Sequence, residues 1–420
     1  MAADSTTLNY FEMTLPLNTN QLIRPSLSKS QKKAVNPMLS TGIVNRLLLL
    51  YKRRRLKTIH RAIVLTTSLF VLYQCANHDL NPKTNVSQFK QKRDVKLILI
   101  WNAPERAEVV AFVGDGHHDA FLTCPIKECR IDLASGNASL DHYDAIVINF
   151  NDQFRLTEIP NVRRLPHQRF IFFTQEPPPA LKEYDFHQYS GYFNWTMTYR
   201  NDSDVLFSYG RIRKRTTSFI SKTSANKTKL MAWMATQCTT DGRRESYIRQ
   251  LRNYIDIDVF GLCGRLSCAR HPVDISHPRC YDMLESTYKF YLSFENSICR
   301  DYVTEKFFKI LERRIVPVVY GGADYKSIAP AGSYIDARLY SPAQLAEYLM
   351  RIDANDSLYE EFFRWKRDYY VEAGVTAMAR RGFCNLCSRL HVDNTEKSYD
   401  DLASIWQHPG GECKSPLAIS

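Results

Sequence analysis

Residues 290–308 read FYLSFENSICRDYVTEKFF. The run from Tyr288 to Phe294 is short, apolar and aromatic, as expected of a strand buried on both faces of a parallel sheet. Residues 295–302 are polar and read as the loop at its carboxyl end, and 303–313 read as a helix. Thr304, Glu305 and Lys306 then fall in the first turn of that helix. Open α/β sheets bind ligands at the carboxyl ends of strands, beside helix N-termini that favour anions. A lysine there can hold a phosphate as a point charge, and a glutamate can accept hydrogen bonds from a ribose. No glycine-rich loop accompanies them, which excludes a P-loop and a GxGxxG dinucleotide site. On residue chemistry alone, the stretch is either a nucleotide-diphosphate site or an exposed helix face with a charge pair.

The same alternation extends to both sides. Strands are expected at 95–101 (VKLILIW), 143–150 (YDAIVINF) and 169–174 (RFIFFT), separated by polar segments long enough for crossovers. Residues 218–229 (SFISKTSANKTK) read as a linker, after which the pattern restarts. Strands are expected at 229–236, 257–261 and 314–320, with a helix over 243–254. Two strand-helix series joined by a linker predict two doubly wound α/β domains, 95–217 and 230–400, facing each other across a cleft. No repeat with a period of 20–50 residues interrupts them, and 401–420 form a C-terminal tail.

A chain of 420 residues exceeds what one core usually organises. Its net charge of +12 is unevenly spread: residues 1–61 hold eleven Lys or Arg against two Asp or Glu, leaving +3 for the remainder. Basicity confined to a tail argues against a nucleic-acid partner. The tail runs through YKRRRLKTIHR into AIVLTTSLFVLYQCA, residues 62–76, which carry no charge. That segment is short for a bilayer span, and its alternatives are the apolar part of a cleaved leader or a buried core helix. As a signal anchor it leaves residues 1–61 in the cytosol and places everything after a short stem, 77–94, in the lumen. A short span suits the thinner membranes of the early secretory pathway.

Ten of eleven cysteines lie beyond Cys75. Close spacings at Cys124 and Cys129, Cys263 and Cys268, and Cys384 and Cys387 read as disulfides closing small loops in an oxidising lumen. Zinc on Cys384-Asn-Leu-Cys387 is the rival reading, without a second matching pair. Cys238, Cys280, Cys299 and Cys413 cannot be paired from sequence. Candidate glycosylation sequons stand at Asn85, Asn137, Asn194, Asn201, Asn226 and Asn355. Asp202-Ser203-Asp204 could hold Mn²⁺ or Mg²⁺, but it precedes the linker, away from the Thr304-Glu305-Lys306 helix, and reads as structural. His117-His118 reads as a loop pair.

FYLSFENSICRDYVTEKFF followed by IVPVVYGG, residues 315–322, resembles the donor-binding motif of the α1,3-fucosyltransferases, glycosyltransferase family ten. NWTMTYRNDSD, residues 194–204, ending in Tyr209-Gly210, resembles the family's segment upstream of the donor domain. The likeness spans about seventy per cent of the chain. It implies the GT-B fold, an invertebrate-like single-pass type II protein of the Golgi membrane, and transfer of L-fucose from GDP-β-L-fucose to N-acetylglucosamine with inversion. The acceptor is then a glycan on a glycoprotein or glycolipid, at the N-glycan core or a lactosamine-type unit. It further implies Glu305 on the donor ribose, Lys306 and Arg244 (or Arg243) on the diphosphate, and Asn296 and Tyr302 nearby. Glu176, in FFTQEPPP, matches the family's general base; its rival role is to cap the turn before three prolines. A single inverting displacement needs one base and charge stabilisation on the leaving diphosphate, and two cations supply the latter without a metal. No cofactor is implied, with Mn²⁺ or Mg²⁺ a stimulant at most.

The chain departs from the family at Thr236-Gln237-Cys238 and around Glu176, where Phe173-Thr174-Gln175 precede it. Two further readings of the motifs are a non-catalytic relative that binds glycan or nucleotide sugar, and a transferase of another nucleotide sugar. Nothing in the sequence marks an oligomeric state.

Overall fold

A computed structural model describes residues 95–102, 104–114, 120–133, 139–151, 162–217, 219, 227–268, 278–407 and 413–414. The basic tail, the apolar segment 62–76, the stem, His117-His118, Asn85, Asn137, Asn226 and most of the linker lie outside them. Among the described residues, no helix is long and apolar enough to cross a membrane.

The chain begins with β1 (Lys96–Ile100), α1 (Ala107–Val113), β2 (Cys129–Leu133), β3 (Ala145–Asn149), β4 (Arg169–Thr174), β5 (Trp195–Thr198) and β6 (Val205–Leu206). The six strands form a parallel sheet in the order β2-β1-β3-β4-β5-β6. Every residue of β3 and β4 is buried, because alternate side chains feed two cores. Ile98, Ile100, Val147, Ile171 and Phe173 belong to one core, with Val109 and Phe112 of α1. Leu99, Ile146, Ile148, Phe170 and Phe172 belong to the other, with Phe186 and Phe193.

After β7 (Gly210–Lys214), a second series follows: β8 (Lys229–Met234), α2 (Arg244–Leu251), β9 (Ile257–Phe260), α3 (Pro278–Thr287), β10 (Tyr288–Phe294), α4 (Glu305–Leu311) and β11 (Val316–Tyr320). It closes with α5 (Tyr325–Ile328), β12 (Ile335–Asp336), α6 (Pro342–Asp353) and α7 (Asp356–Glu361). Its five strands are also parallel, in the order β12-β11-β10-β8-β9. Ser341 and Gln344 form a capping box that starts α6, whose Leu345, Leu349 and Ile352 reach the core of this sheet.

The chain then turns back. β13 (Tyr369–Ala373) pairs antiparallel with β7, Ala373 opposite Gly210, so the outgoing and returning crossings are hydrogen-bonded to each other. α8 (Val375–Val392) and α9 (Leu402–Trp406) pack on the first sheet, not the second. The sequence-based division, which leaves 230–400 in one domain, is corrected here. Met378, Phe383, Leu386 and Leu390 bury the apolar stripe of α8 beside Phe112 and Phe207, the apolar surface left open by the first sheet.

The local disulfides expected from spacing are also corrected. Cys124 bonds Cys384 and Cys129 bonds Cys387, across 260 and 258 residues, stapling α8 to the first sheet. Cys384 and Cys387 stand three apart on one helix face, so each reaches a separate partner beneath it. Cys238 bonds Cys263, Cys268 bonds Cys280, and Cys299 bonds Cys413. Cys129, Cys387 and His391 cluster closely enough for a metal, but their sulfurs are spent in a disulfide.

Gly382 of α8 permits the close seat on Phe207: a Cβ there would stand 1.8 Å from the phenylalanine ring. Gly382→Ala is expected to cost about 1–3 kcal/mol through overpacking. A lowered Tm in thermal unfolding, partly recovered by Phe207→Leu, checks it.

Candidate active site

Glu176 stands just beyond the carboxyl end of β4. Its backbone N–H donates to Thr174 Oγ1 at 3.0 Å, and that hydroxyl donates to Phe150 O at 2.8 Å. The preceding Gln175 is buried, with Nε2 donating to Phe207 O at 3.0 Å and its carbonyl accepting from Tyr209 Oη at 2.8 Å. The turn carrying Glu176 is therefore tied to three strands or their ends. A proline-rich 3₁₀ turn, Pro178–Leu181, follows it.

The second sheet supplies the opposite wall. Thr304 caps α4, its hydroxyl accepting from Lys306 N at 3.4 Å. Glu295, at the carboxyl end of β10, is fully buried. Its Oε1 accepts from Thr304 N at 2.8 Å, and its Oε2 accepts from Thr304 Oγ1 at 2.9 Å. Lys306 Nζ lies 3.0 Å from Glu305 Oε1, 3.0 Å from Thr304 Oγ1 and 3.6 Å from Glu295 Oε2. Burial pushes Glu295 above the ordinary carboxylate range. Burial also works against charge on Glu305, yet the Lys306 charge and hydrogen bonds hold its pKa below that range. Lys306 is raised despite its own burial, by Glu305 and Glu295, and so stays an ammonium at neutral pH.

Arg244 opens α2 and is buried. Its Nη1 donates to Phe294 O at 2.7 Å, and its guanidinium stands 5.5 Å from the centre of the Trp233 ring. Burial pulls its pKa down, with Glu295 the main opposing charge. Arg243, the alternative residue, is exposed in a left-handed conformation, φ 45°. Asn296 Nδ2 donates to Gln237 Oε1 at 2.9 Å. Asn296 Oδ1 and Arg244 Nε are buried without a hydrogen-bond partner among the described residues. An acceptor and a donor left open in this way leave capacity for a polar ligand.

Glu176, Arg244, Asn296, Tyr302, Glu305 and Lys306 all line one cavity of 690 Å³ between the carboxyl ends of the two sheets, with Thr236 and Gln237 on its wall. Tyr302 also bridges the halves, its ring 4.9 Å from that of Tyr199 and 6.4 Å from that of Tyr209, and burial pushes its hydroxyl far above the usual range.

Sequence reasoning missed Arg106, Glu108, Tyr209 and Lys309, which line the same cavity. Arg106 and Glu108 form an ion pair, and Glu108 is 3% exposed. Arg106 is raised by Glu108 and, secondarily, by Glu176, against its own burial. One signal was available: both follow VKLILIW, at the carboxyl end of β1, where ligand-binding residues are expected.

The remaining candidates lie elsewhere. Asp202 pairs with Arg200 at 2.6 Å and Arg300 at 2.5 Å. Asp204 accepts from Thr196 N at 2.8 Å and pairs with Lys397 at 2.6 Å. The triplet is thus occupied by structural partners. Asn201 and Asn355 are exposed; Asn355 caps α7 through Oδ1, accepting from Leu358 N at 3.2 Å, and Nδ2 takes no part in that bond. Asn194 is corrected as a glycosylation candidate: it is 4% exposed and both amide atoms are engaged. Its Oδ1 accepts from Phe170 N at 2.8 Å, and its Nδ2 donates to Lys397 O at 2.7 Å.

Two parallel sheets converging on a cavity of paired cations and carboxylates define an α/β protein with a cleft-type active site. The pattern described as "Glycosyltransferase family 10 (fucosyltransferase) C-term" matches residues 224–406, and "Fucosyltransferase, N-terminal" matches 93–210. α-(1,3)-Fucosyltransferase C of Drosophila melanogaster is 37% identical over 313 residues, covering 68% of this chain and 70% of that protein. Glycoprotein 3-α-L-fucosyltransferase A of the same organism is 31% identical, covering 78% and 63%. 3-Galactosyl-N-acetylglucosaminide 4-α-L-fucosyltransferase of Bos taurus is 31% identical, covering 74% and 81%. A crystal structure titled as an α1,3-fucosyltransferase with GDP aligns over 65% of this chain and 82% of that one, at 14% identity and a TM-score of 0.41. The chain belongs to glycosyltransferase family 10, the fucosyltransferases; it is a glycosyltransferase.

Protein secreted from a glycosylating host is expected to carry no glycan at Asn194, as read by glycopeptide mass spectrometry. Asn194→Ala strands the Phe170 N–H and is expected to cost about 1–3 kcal/mol in denaturant unfolding.

Proposed function

We propose that this protein is an inverting α1,3-fucosyltransferase that moves L-fucose from GDP-β-L-fucose to a hydroxyl of N-acetylglucosamine in a glycan. One observation carries the reading: a carboxylate of the first sheet, Glu176, shares a cavity with Arg244, Asn296, Glu305 and Lys306 of the second. The two sheets correspond to the halves of a GT-B fold, acceptor side first and donor side second.

The donor's diphosphate lies on Lys306 and Arg244, both charged at neutral pH, and Glu305, ionised, accepts from the ribose hydroxyls. Asn296 Oδ1 and Arg244 Nε fill their open positions on the same molecule. Tyr302 keeps its proton and acts as a donor. In the transfer, the acceptor hydroxyl attacks the anomeric carbon from the face opposite the diphosphate, while Glu176 takes the hydroxyl proton. The bond to the diphosphate oxygen breaks with its electron pair, and GDP leaves with that charge held by the two cations. Closure of the two halves about the paired crossing strands β7 and β13 would bring Glu176 to the donor. The cations meet the leaving-group demand without a metal, and a divalent ion is at most a stimulant.

The names of the relatives support two acceptor classes, a glycoprotein and a galactosyl-N-acetylglucosamine unit. The setting is the Golgi membrane, with residues 62–76 as a type II anchor and the catalytic body in the lumen. The five disulfides among the described residues suit that oxidising compartment.

Residues 77–420, secreted without the anchor, are to be given GDP-fucose with a trimmed N-glycan or a lactosamine-type disaccharide, with and without EDTA. Transfer to one acceptor, retained in EDTA, is expected. Glu176→Gln should lower kcat by about 10²- to 10⁴-fold with little change in donor affinity. GDP-fucose binding without transfer to any acceptor would replace this reading with a non-catalytic one. Arg244→Ala is expected to weaken donor binding at least about tenfold, whereas Arg243→Ala leaves it nearly unchanged, by calorimetric titration.

A further inference from the structure

Glu295 has no part in the scheme above, yet it is the most completely enclosed charged side chain around the cavity, 0% exposed. Its carboxylate does two things at once. It anchors the start of α4 by accepting from the amide and hydroxyl of Thr304. It also stands 3.6 Å behind the Lys306 ammonium, whose other carboxylate neighbour is Glu305 at 3.0 Å. Lys306 is thereby held by two anions before any anionic molecule arrives. The groups facing Glu295 are Lys306 and Glu305 on α4, Arg244 on α2, Tyr291 on β10, Tyr302 in the loop and Tyr325 on α5. Only Lys306 and Arg244 among these are cations, and both line the cavity.

A diphosphate on those two cations changes the balance. Glu305 is partly exposed, and water can reach it. Glu295 cannot be hydrated, and an enclosed anion whose cation is shared with a dianion loses most of its stabilisation. Its remaining route is to become neutral. We propose that Glu295 is a positioning residue for the donor: its carboxylate aims Lys306 and fixes the Thr304 cap in the free enzyme, and it takes up one proton from solvent when the diphosphate engages the lysine. The proposal rests on the donor reading given above. Burial already favours the protonated form over the ionised one.

The sign follows from linkage. A group that gains a proton on binding makes affinity fall as pH rises between its free and bound pKa values, by up to about tenfold per pH unit. GDP-fucose is the suitable probe, because its diphosphate has no terminal phosphate titrating near pH 6, as that of GDP does. Binding without acceptor is to be measured calorimetrically at roughly pH 5.5–8.5, in pairs of buffers of different ionisation enthalpy. The wild-type protein is expected to take up a fraction of a proton rising toward one, with affinity falling as pH rises. Glu295→Gln keeps an acceptor for Thr304 and should lose both the uptake and the pH dependence. Glu295→Ala loses the anchor as well and should bind at least about tenfold more weakly.

Uptake unchanged in Glu295→Gln, or absent in the wild-type protein while GDP-fucose binds, overturns the assignment and leaves the donor reading intact. A folded wild-type protein that does not bind GDP-fucose removes both. Should Glu295→Gln not fold, Glu176→Gln takes its place: uptake persisting there supports Glu295, and uptake lost there assigns the proton to Glu176 and overturns the proposal.

Discussion

The cavity exists because two parallel sheets present their carboxyl ends to the same space, and the chain crosses between them twice, the second time to return α8 and α9 to the first sheet. The crossings are not independent. β7 and β13 pair antiparallel, so the outgoing and returning strands hold each other in register. Their ends have little freedom: a Cβ on Gly210 would lie 2.1 Å from the Phe308 ring, and Gly374, φ +90°, turns the chain from β13 into α8. α8 is then held to the first sheet by Phe207, Phe383 and two disulfides. A sheet that borrows its outer helix from the far end of the chain cannot be a separately folding unit. The halves are joined by this ribbon, by the Asp202–Arg300 ion pair and by the Tyr302 ring against Tyr199.

Within the cavity the governing term is desolvation. Glu305 and Glu295 stand against Lys306, Glu295 also opposes the burial of Arg244, and Glu108 pairs with Arg106. A buried cation needs a counter-charge, or its own burial would discharge it. The two carboxylates around Lys306 answer that need.

The strands at 95–101, 143–150, 169–174, 257–261, 288–294 and 314–320 were legible because each is a short run dominated by β-branched, aromatic and other apolar residues. β7 was not legible. GRIRK has one covered face and shows arginine and lysine to solvent, so nothing apolar announces it. β5 lay within a segment read for its sequon and motif, and Asn194 beside it looked like a surface residue. Only the strand pairing around Phe170 reveals an amide spent on the backbone. The cysteines misled in the same way: short spacing suggested small loops, whereas pairing depends on which sulfurs the packing of α8 brings within bonding distance.

By itself the sequence determined the two strand-helix series, the residue types at the carboxyl ends of β4 and β10, and the cap that begins α4. Each is set by neighbours a few residues away, through apolar periodicity or a hydrogen bond across one helical turn. Tertiary structure alone decided that Arg244 and not Arg243 lines the cavity, the return of α8, the disulfide pairs seen among the described residues and the placing of Glu295 behind Lys306. These depend on which segments the packing brings together, and local periodicity carries no information about such partners.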